Sequence, residues 1–214
     1  MKKIISYSLW GDNPKYCVGA IKNAEMRDRF YPDWIARFYV HKSVDQKYIN
    51  KLRSTEGVEV IIKDGPADWT GMFWRFEAIS DEDVEIMICR DTDSRLSDRE
   101  TQAVKEFENS PCLFHIMRDH PYHNAFVLGG MFGVKKGILD DMTTLCEDFQ
   151  SSDVYGTDYT FFNSIKHRIP SFVTLVHDEF RGGRSFPSPR NNKEFVGDVF
   201  DENDNRHPDY YKLL

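Results

Sequence analysis

No stretch of about 18 consecutive apolar residues occurs in this 214-residue chain, so no membrane-spanning helix is expected. The opening Met1-Lys2-Lys3-Ile4-Ile5-Ser6-Tyr7 has a basic start. Its apolar stretch is soon broken by Ser6, Ser8 and Gly11-Asp12, so it reads as a first strand rather than a secretory signal, and a cytoplasmic protein is expected. Cysteine is scarce. Cys17, Cys89, Cys112 and Cys146 lie far apart with no CxxC pair, which argues against a zinc site and for reduced thiols. A basic excess is missing too: 28 Lys and Arg face 35 Asp and Glu, a net charge of -7, so no nucleic-acid partner is expected. Neither an internal repeat nor a linker divides the chain, and one domain over residues 1–214 is expected.

What the sequence does contain is an alternation of short apolar runs with helical periodicities. Strands are expected at Ile4–Leu9, Ile35–Val40, Val58–Ile62, Val84–Cys89, Leu113–Met117 and Phe172–Val176. Helices are expected at Tyr16–Phe30, with Val18, Ile21, Met26 and Phe30 on its apolar face, and at Asp45–Ser54, Phe73–Ile79, Gly137–Gln150 and Asp158–His167. Ser97 followed by Glu100 predicts a capping box opening another helix. Beyond Arg181, Gly, Pro, Asn and charged residues predict irregular structure, relieved only by Phe195–Phe200. The fold class that follows is α/β, a mostly parallel central sheet flanked by helices.

Asp91-Thr92-Asp93 follows directly on the apolar run Val84–Cys89. Ligands of open α/β sheets bind beyond the carboxyl ends of the strands. Two carboxylates one residue apart at such an end can converge on Mg²⁺ or Mn²⁺, which prefer oxygen ligands, and the cation can bridge a diphosphate. The competing reading is a helix-capping loop. Arg75 sits among aromatics in Trp69–Phe76; burial demands a partner, either a phosphate, a carboxylate such as Asp91, or the face of Trp74. Of Arg90 and Arg95, one is expected to point to phosphate. Gly129-Gly130 in Leu128–Gly133 allows close backbone approach to a ligand, or a tight bend, but lacks the GxGxxG dinucleotide spacing. Asp158 is either a first-turn or N-cap residue of its helix or a carboxylate acting on an acceptor hydroxyl. His177, at a strand end beside Asp178 and Glu179, is a candidate third metal ligand. His115, His120 and His123 are read as structural or acceptor-facing.

Taken in order, Ser6–Gly11, Tyr31–Trp34, Trp74-Arg75-Phe76, Arg90–Arg95, Gly129-Gly130-Met131, Gly156-Thr157-Asp158 and Phe195-Val196-Gly197 resemble the GT-A class of nucleotide-sugar glycosyltransferases. Within it, the small glycosyltransferase domains of large algal DNA viruses and related bacterial proteins are most similar. The resemblance implies a GT-A (Rossmann-like) fold, with a nucleotide-sugar-binding half over about residues 1–95 and an acceptor-binding half over about 96–214. It implies that the exit of the first strand, Ser8, Leu9, Trp10 and Gly11, holds the nucleoside. Asp93 becomes the main metal ligand, while Asp91, with Thr92 between them, touches the donor directly or through the metal. Arg75 contacts the donor, and Gly129 and Gly130 line the sugar pocket. Asp158 lies near the acceptor and is the catalytic base if the reaction inverts, whereas for a retaining reaction the sequence names no base; the Gln that often follows it is Tyr159 here. A late His also binds the metal in some GT-A enzymes, and His177 is the candidate here. The implied reaction transfers a hexose from a UDP-sugar, with Mn²⁺ or Mg²⁺, to a glycan or glycoprotein. Two alternatives stand beside it: a non-catalytic carbohydrate-binding or scaffold module, and a DxD phosphatase, which usually carries the motif after its first strand. A sugar nucleotidyltransferase would need an early Gly-rich loop with Arg or Lys, which Trp10–Asn13 does not supply.

Overall fold

In β1 (Lys2–Leu9) successive side chains point to opposite faces of the sheet, and the sequence uses both faces differently. Ile5, Tyr7 and Leu9 enter one apolar cluster together with Cys17, Ala20 and Phe38. Ile4 enters the other, which holds Phe73, Phe76, Phe132 and Phe161. Ser6 and Ser8 share the face of Ile4, where they fasten the backbone of a neighbouring segment, and this is why two hydroxyls interrupt an apolar strand. The computed structural model describes residues 1–150 and 153–214.

The remaining strands are β2 (Ile35–His41), β3 (Val58–Lys63), β4 (Val84–Cys89), β5 (Phe114–Arg118), β6 (Phe132–Lys135) and β7 (Thr174–Asp178). They form one seven-stranded sheet in the order β3-β2-β1-β4-β6-β5-β7. The ladder is parallel from β3 to β4 and between β5 and β7, while β6 runs antiparallel to both β4 and β5. The expected mixed, mostly parallel sheet is thus present. The helices are α1 (Pro14–Phe30), α2 (Gln46–Arg53), α3 (Asp98–Asn109), α4 (Met142–Asp148), α5 (Thr157–Ser164) and α6 (Pro208–Tyr211). No helix among the described residues is long and apolar enough to cross a membrane.

Several boundaries differ from the sequence reading, each for a local reason. Phe73–Ile79 belongs to a longer 3-10 helix, Trp69–Ser80, which Asp68 opens by accepting from Thr70 N–H at 2.9 Å. α4 starts only at Met142, because Gly137 (φ 104°) and Leu139 (φ 58°) take left-handed backbone just before it. In α1 the buried face is Cys17, Ala20, Ala24, Arg27 and Phe30, so that Val18, Ile21 and Met26 are only partly covered. At α3 only half of the capping box forms: Ser97 Oγ accepts from Glu100 N–H at 3.2 Å. The Glu100 side chain instead accepts from Arg90 Nε at 2.7 Å and from the Tyr31 hydroxyl at 2.9 Å.

Candidate active site

A cavity of about 680 Å³ opens where β1 and β4 end side by side. From β1 the chain turns back through α1 towards β2, whereas β6 and β5 extend the sheet on the other side of β4. The crevice therefore sits at the reversal of strand order, where α/β sheets bind ligands. Ser8, Leu9, Trp10 and Gly11 line it from the exit of β1, and Asp91, Thr92 and Asp93 from the exit of β4.

The Asp91–Arg95 loop is held by one face of α1. Lys15, Gly19 and Asn23 follow one another at four-residue spacing, so they share a face. Lys15 Nζ lies 2.7 Å from Asp93 Oδ2. A Cβ on Gly19 would stand 2.1 Å from the Thr92 carbonyl oxygen, so only glycine lets the helix come this close. Asn23 Nδ2 donates to the Thr92 and Ser94 carbonyls at 3.2 and 2.9 Å. Ser94 Oγ donates to the Asp91 carbonyl at 2.8 Å and completes the turn.

Arg75 comes from the 3-10 helix and is fixed by the two serines of β1. Ser6 Oγ donates to the Arg75 carbonyl at 2.6 Å, and the Arg75 amide donates to Ser8 Oγ at 3.0 Å. The guanidinium then reaches the Arg90 carbonyl at 3.1 Å and pairs with Asp91 Oδ1, the carboxylate option foreseen for it. Gly129 and Gly130 make room for this cluster. A Cβ on Gly130 would fall 1.9 Å from Asp91 Oδ2, and one on Gly129 would fall 2.3 Å from Asp158 Oδ2. Asp158 sits in the first turn of α5, but Gly156 holds the N-cap position, so Asp158 is free to accept from Gly129 N–H at 3.2 Å. Burial pushes its carboxyl above the usual aspartate range, with Arg75 pulling the other way.

Asp91 and Asp93 suit a divalent cation in part. Burial, and then the neighbouring charge of Asp91, hold the Asp93 carboxyl above its ordinary value, a repulsion that a cation relieves. Each aspartate keeps one oxygen outside its ion pair. Two protein carboxylates, with phosphate and water completing the shell, is the usual manner of holding Mg²⁺. No three His, Cys, Asp or Glu side chains converge on a metal position among the described residues. His177 in particular is not brought to the aspartates. β7 is the edge strand, three ladder steps or roughly 14 Å from β4. Its ring is fully buried, 2.8 Å from His115 Nε2 and 3.2 Å from Glu106 Oε2 of α3, outside the cavity. The two flanking arginines also turn away. Arg90 is buried against Glu100, and Arg95 lies 3.0 Å from Asp204 Oδ1.

Aromatic side chains to which the sequence reading gave no site role complete the lining. Trp69, Tyr122, Tyr155, Tyr159, Phe195 and Tyr210 line the cavity. Trp69 and Tyr155 meet edge to face at 5.4 Å. His120 and His123, read as structural or acceptor-facing, also line it. His123 Nδ1 accepts from the Asp119 amide at 3.1 Å, so in the neutral ring the proton is on Nε2. Burial pushes the His123 imidazolium down to about 3, which keeps the ring neutral. The C-terminal segment supplies the rest of the wall: Phe200 N–H donates to the Asp93 carbonyl at 2.8 Å, and the Tyr210 carbonyl lies 2.9 Å from His120 Nε2. The aromatic residues Phe195 and Tyr210 beyond Arg181 were the available signal, but their partners His120, His123 and Tyr122 lie far back in the sequence.

No protein-family model and no curated protein matches this chain. Solved structures do. A glycosyltransferase involved in glycosylating the major capsid of PBCV-1 superimposes with a TM-score of 0.53 at 13% identity, over 83% of this chain and 82% of that one. The 4-diphosphocytidyl-2C-methyl-D-erythritol synthase of Anaerococcus prevotii gives 0.53 at 12% identity, over 83% and 87%. The mannosyltransferase PcManGT of Pyrobaculum calidifontis, in complex with GDP-Man and Mn²⁺, gives 0.53 at 13% identity, over 86% of this chain but 58% of that one. With its reversed β6, its crevice between β1 and β4 and these structural neighbours, the chain has the GT-A, Rossmann-like fold.

Proposed function

We propose that this protein is a metal-dependent glycosyltransferase that moves a hexose from a UDP-sugar to a hydroxyl of a glycan or glycoprotein. The observation that carries this reading is the convergence of Asp91, Asp93, Arg75 and Asp158 on one wall of the cavity at the strand-order reversal. A lone capping loop would not need Gly130 emptied to seat Asp91. A bound Mn²⁺ or Mg²⁺, held by Asp91 and Asp93, supplies Lewis-acid neutralisation of the departing diphosphate.

The chain's own residues do the remainder. Ser8 to Gly11 and Thr92 border the nucleoside, with Trp10 offering a ring for stacking. Arg75, prepaid in orientation by Ser6 and Ser8, offers its guanidinium to the donor. Gly129 and Gly130 let the sugar approach the backbone. Asp158 takes the proton of the acceptor hydroxyl in an inverting displacement, and its raised pKa brings it nearer a working pH.

A donor screen tests this. The protein is incubated with UDP-hexoses, and with GDP-mannose because the Pyrobaculum neighbour holds it, in Mn²⁺, and free nucleotide diphosphate is measured. Release of UDP from at least one donor, lost in Asp93→Ala, is expected. Metal-dependent nucleotide binding without turnover would favour the non-catalytic module, and phosphate release from a generic ester would favour the phosphatase.

A further inference from the structure

Lys15 is an unusual neighbour for a metal-binding carboxylate. Its ammonium lies 2.7 Å from Asp93 Oδ2, and the Asp93 side chain is only 14% exposed, so this is not an ordinary solvated ion pair. The lysine sits in the first turn of α1, a 17-residue helix with no acidic residue there to balance it. A cation at that end opposes the helix dipole. What favours the arrangement is Asp93, and what fixes it is the rest of the same face: Gly19 against the Thr92 carbonyl and Asn23 bonded to Thr92 and Ser94. The backbone of Lys15 is therefore held at a set distance from Asp93, while its ammonium is carried on a flexible stem that is 30% exposed.

We propose that Lys15 is a tethered counter-ion that pairs with Asp93 and that an incoming divalent cation displaces, so that Lys15 sets the metal affinity. The inference rests on the reading that Asp91 and Asp93 hold a divalent cation. A cation on Asp93 would stand within a few ångströms of the ammonium, and the two positive charges repel in a partly dehydrated setting. Metal binding is thus coupled to the release of the Lys15 side chain. Lys15 also keeps the crowded carboxylates of Asp91 and Asp93 stable when no metal is present, and Arg75 does the same for Asp91. Removing the Lys15 charge leaves Asp93 with uncompensated repulsion from Asp91, which a metal then relieves in full.

The test is calorimetric titration of Mn²⁺ alone into the full chain, without nucleotide. Wild type, Lys15→Met, Lys15→Gln, Lys15→Arg and Asp93→Asn are compared, each first shown to melt cooperatively. Methionine keeps the apolar stem, and glutamine gives a second neutral variant should the first not fold. Both neutral variants are expected to bind Mn²⁺ at least about tenfold tighter than wild type, Lys15→Arg to stay within about threefold of it, and Asp93→Asn to lose binding. If wild type binds, Asp93→Asn does not, and the neutral variants bind equally or more weakly, the role of Lys15 is overturned while the cation site stands. If no variant binds Mn²⁺, or Asp93→Asn binds as wild type does, the cation reading fails and the role of Lys15 fails with it.

Discussion

At the scale of single residues, Asp158 carries the sharpest expectation. A base must be ionised to accept a proton, and burial raises this carboxyl above its ordinary range. Activity should therefore fall on the acid side at a pH above that of an exposed aspartate. Asp158→Asn should lower kcat by about 10²–10⁴ with KM little changed and remove that acid limb. A pH–rate profile of the two proteins checks this, and an unaltered limb would place the base elsewhere. The same scale shows what was legible beforehand. Asp91, Asp93 and Arg75 could be read because strand-end placement and burial among aromatics are properties of adjacent residues. Lys15, Gly19 and Asn23 could not, because a polar and small stripe on a helix has meaning only once the loop it touches is known. His177 was misread for the converse reason: being at a strand end says nothing until the strand's place in the sheet is fixed.

At the scale of elements, two contacts decide whether the cavity keeps its shape. Gly19 lets α1 lie against the Asp91–Arg95 loop, and a methyl there would meet a backbone oxygen that has nowhere to go. Gly19→Ala should cost about 1–3 kcal/mol in urea unfolding and weaken nucleotide binding together with stability. Unchanged values would mean that α1 does not support the loop. The second contact is Asp119, fully buried after β5. It accepts from Arg99 of α3 at 2.7 and 2.9 Å, from Arg190 at 2.7 Å and from the Val196 amide at 2.9 Å. It thus joins a helix, a strand end and the C-terminal segment. Asp119→Ala would leave two arginines without their buried partner, and a loss of about 3–5 kcal/mol is expected by chemical denaturation. A loss below about 1 kcal/mol would show the network to be dispensable. Neither contact follows from local sequence, since Asp119 and Arg190 are far apart along the chain, whereas six of the strands follow from their short apolar runs.

At the scale of the whole molecule, the alternation of apolar runs sufficed for a mixed, mostly parallel sheet, but not for the order of its strands. β6 (Phe132–Lys135) was not among the expected strands, and its antiparallel insertion between β4 and β5 rests on long-range contacts such as Phe114 stacked on Phe132. The segment beyond Arg181 carries little regular structure, yet it lines the cavity with Phe195, Gly197, Val199 and Tyr210, because the hydrogen bonds that anchor it to Asp93 and His120 do not need a helix or strand to form. The proposed function rests on one claim, that two aspartates at the exit of β4 would hold a cation that holds a diphosphate. Thermal melting with UDP, in Mn²⁺ or in EDTA, tests it most directly. At a hundred times Kd the ligand should add about 2.7 kcal/mol, a rise of roughly 5–10 °C for a chain of this size. Wild type should show that rise in Mn²⁺ and little in EDTA, and Asp93→Ala should show none. An equal rise in EDTA, or an undiminished one in Asp93→Ala, would contradict it.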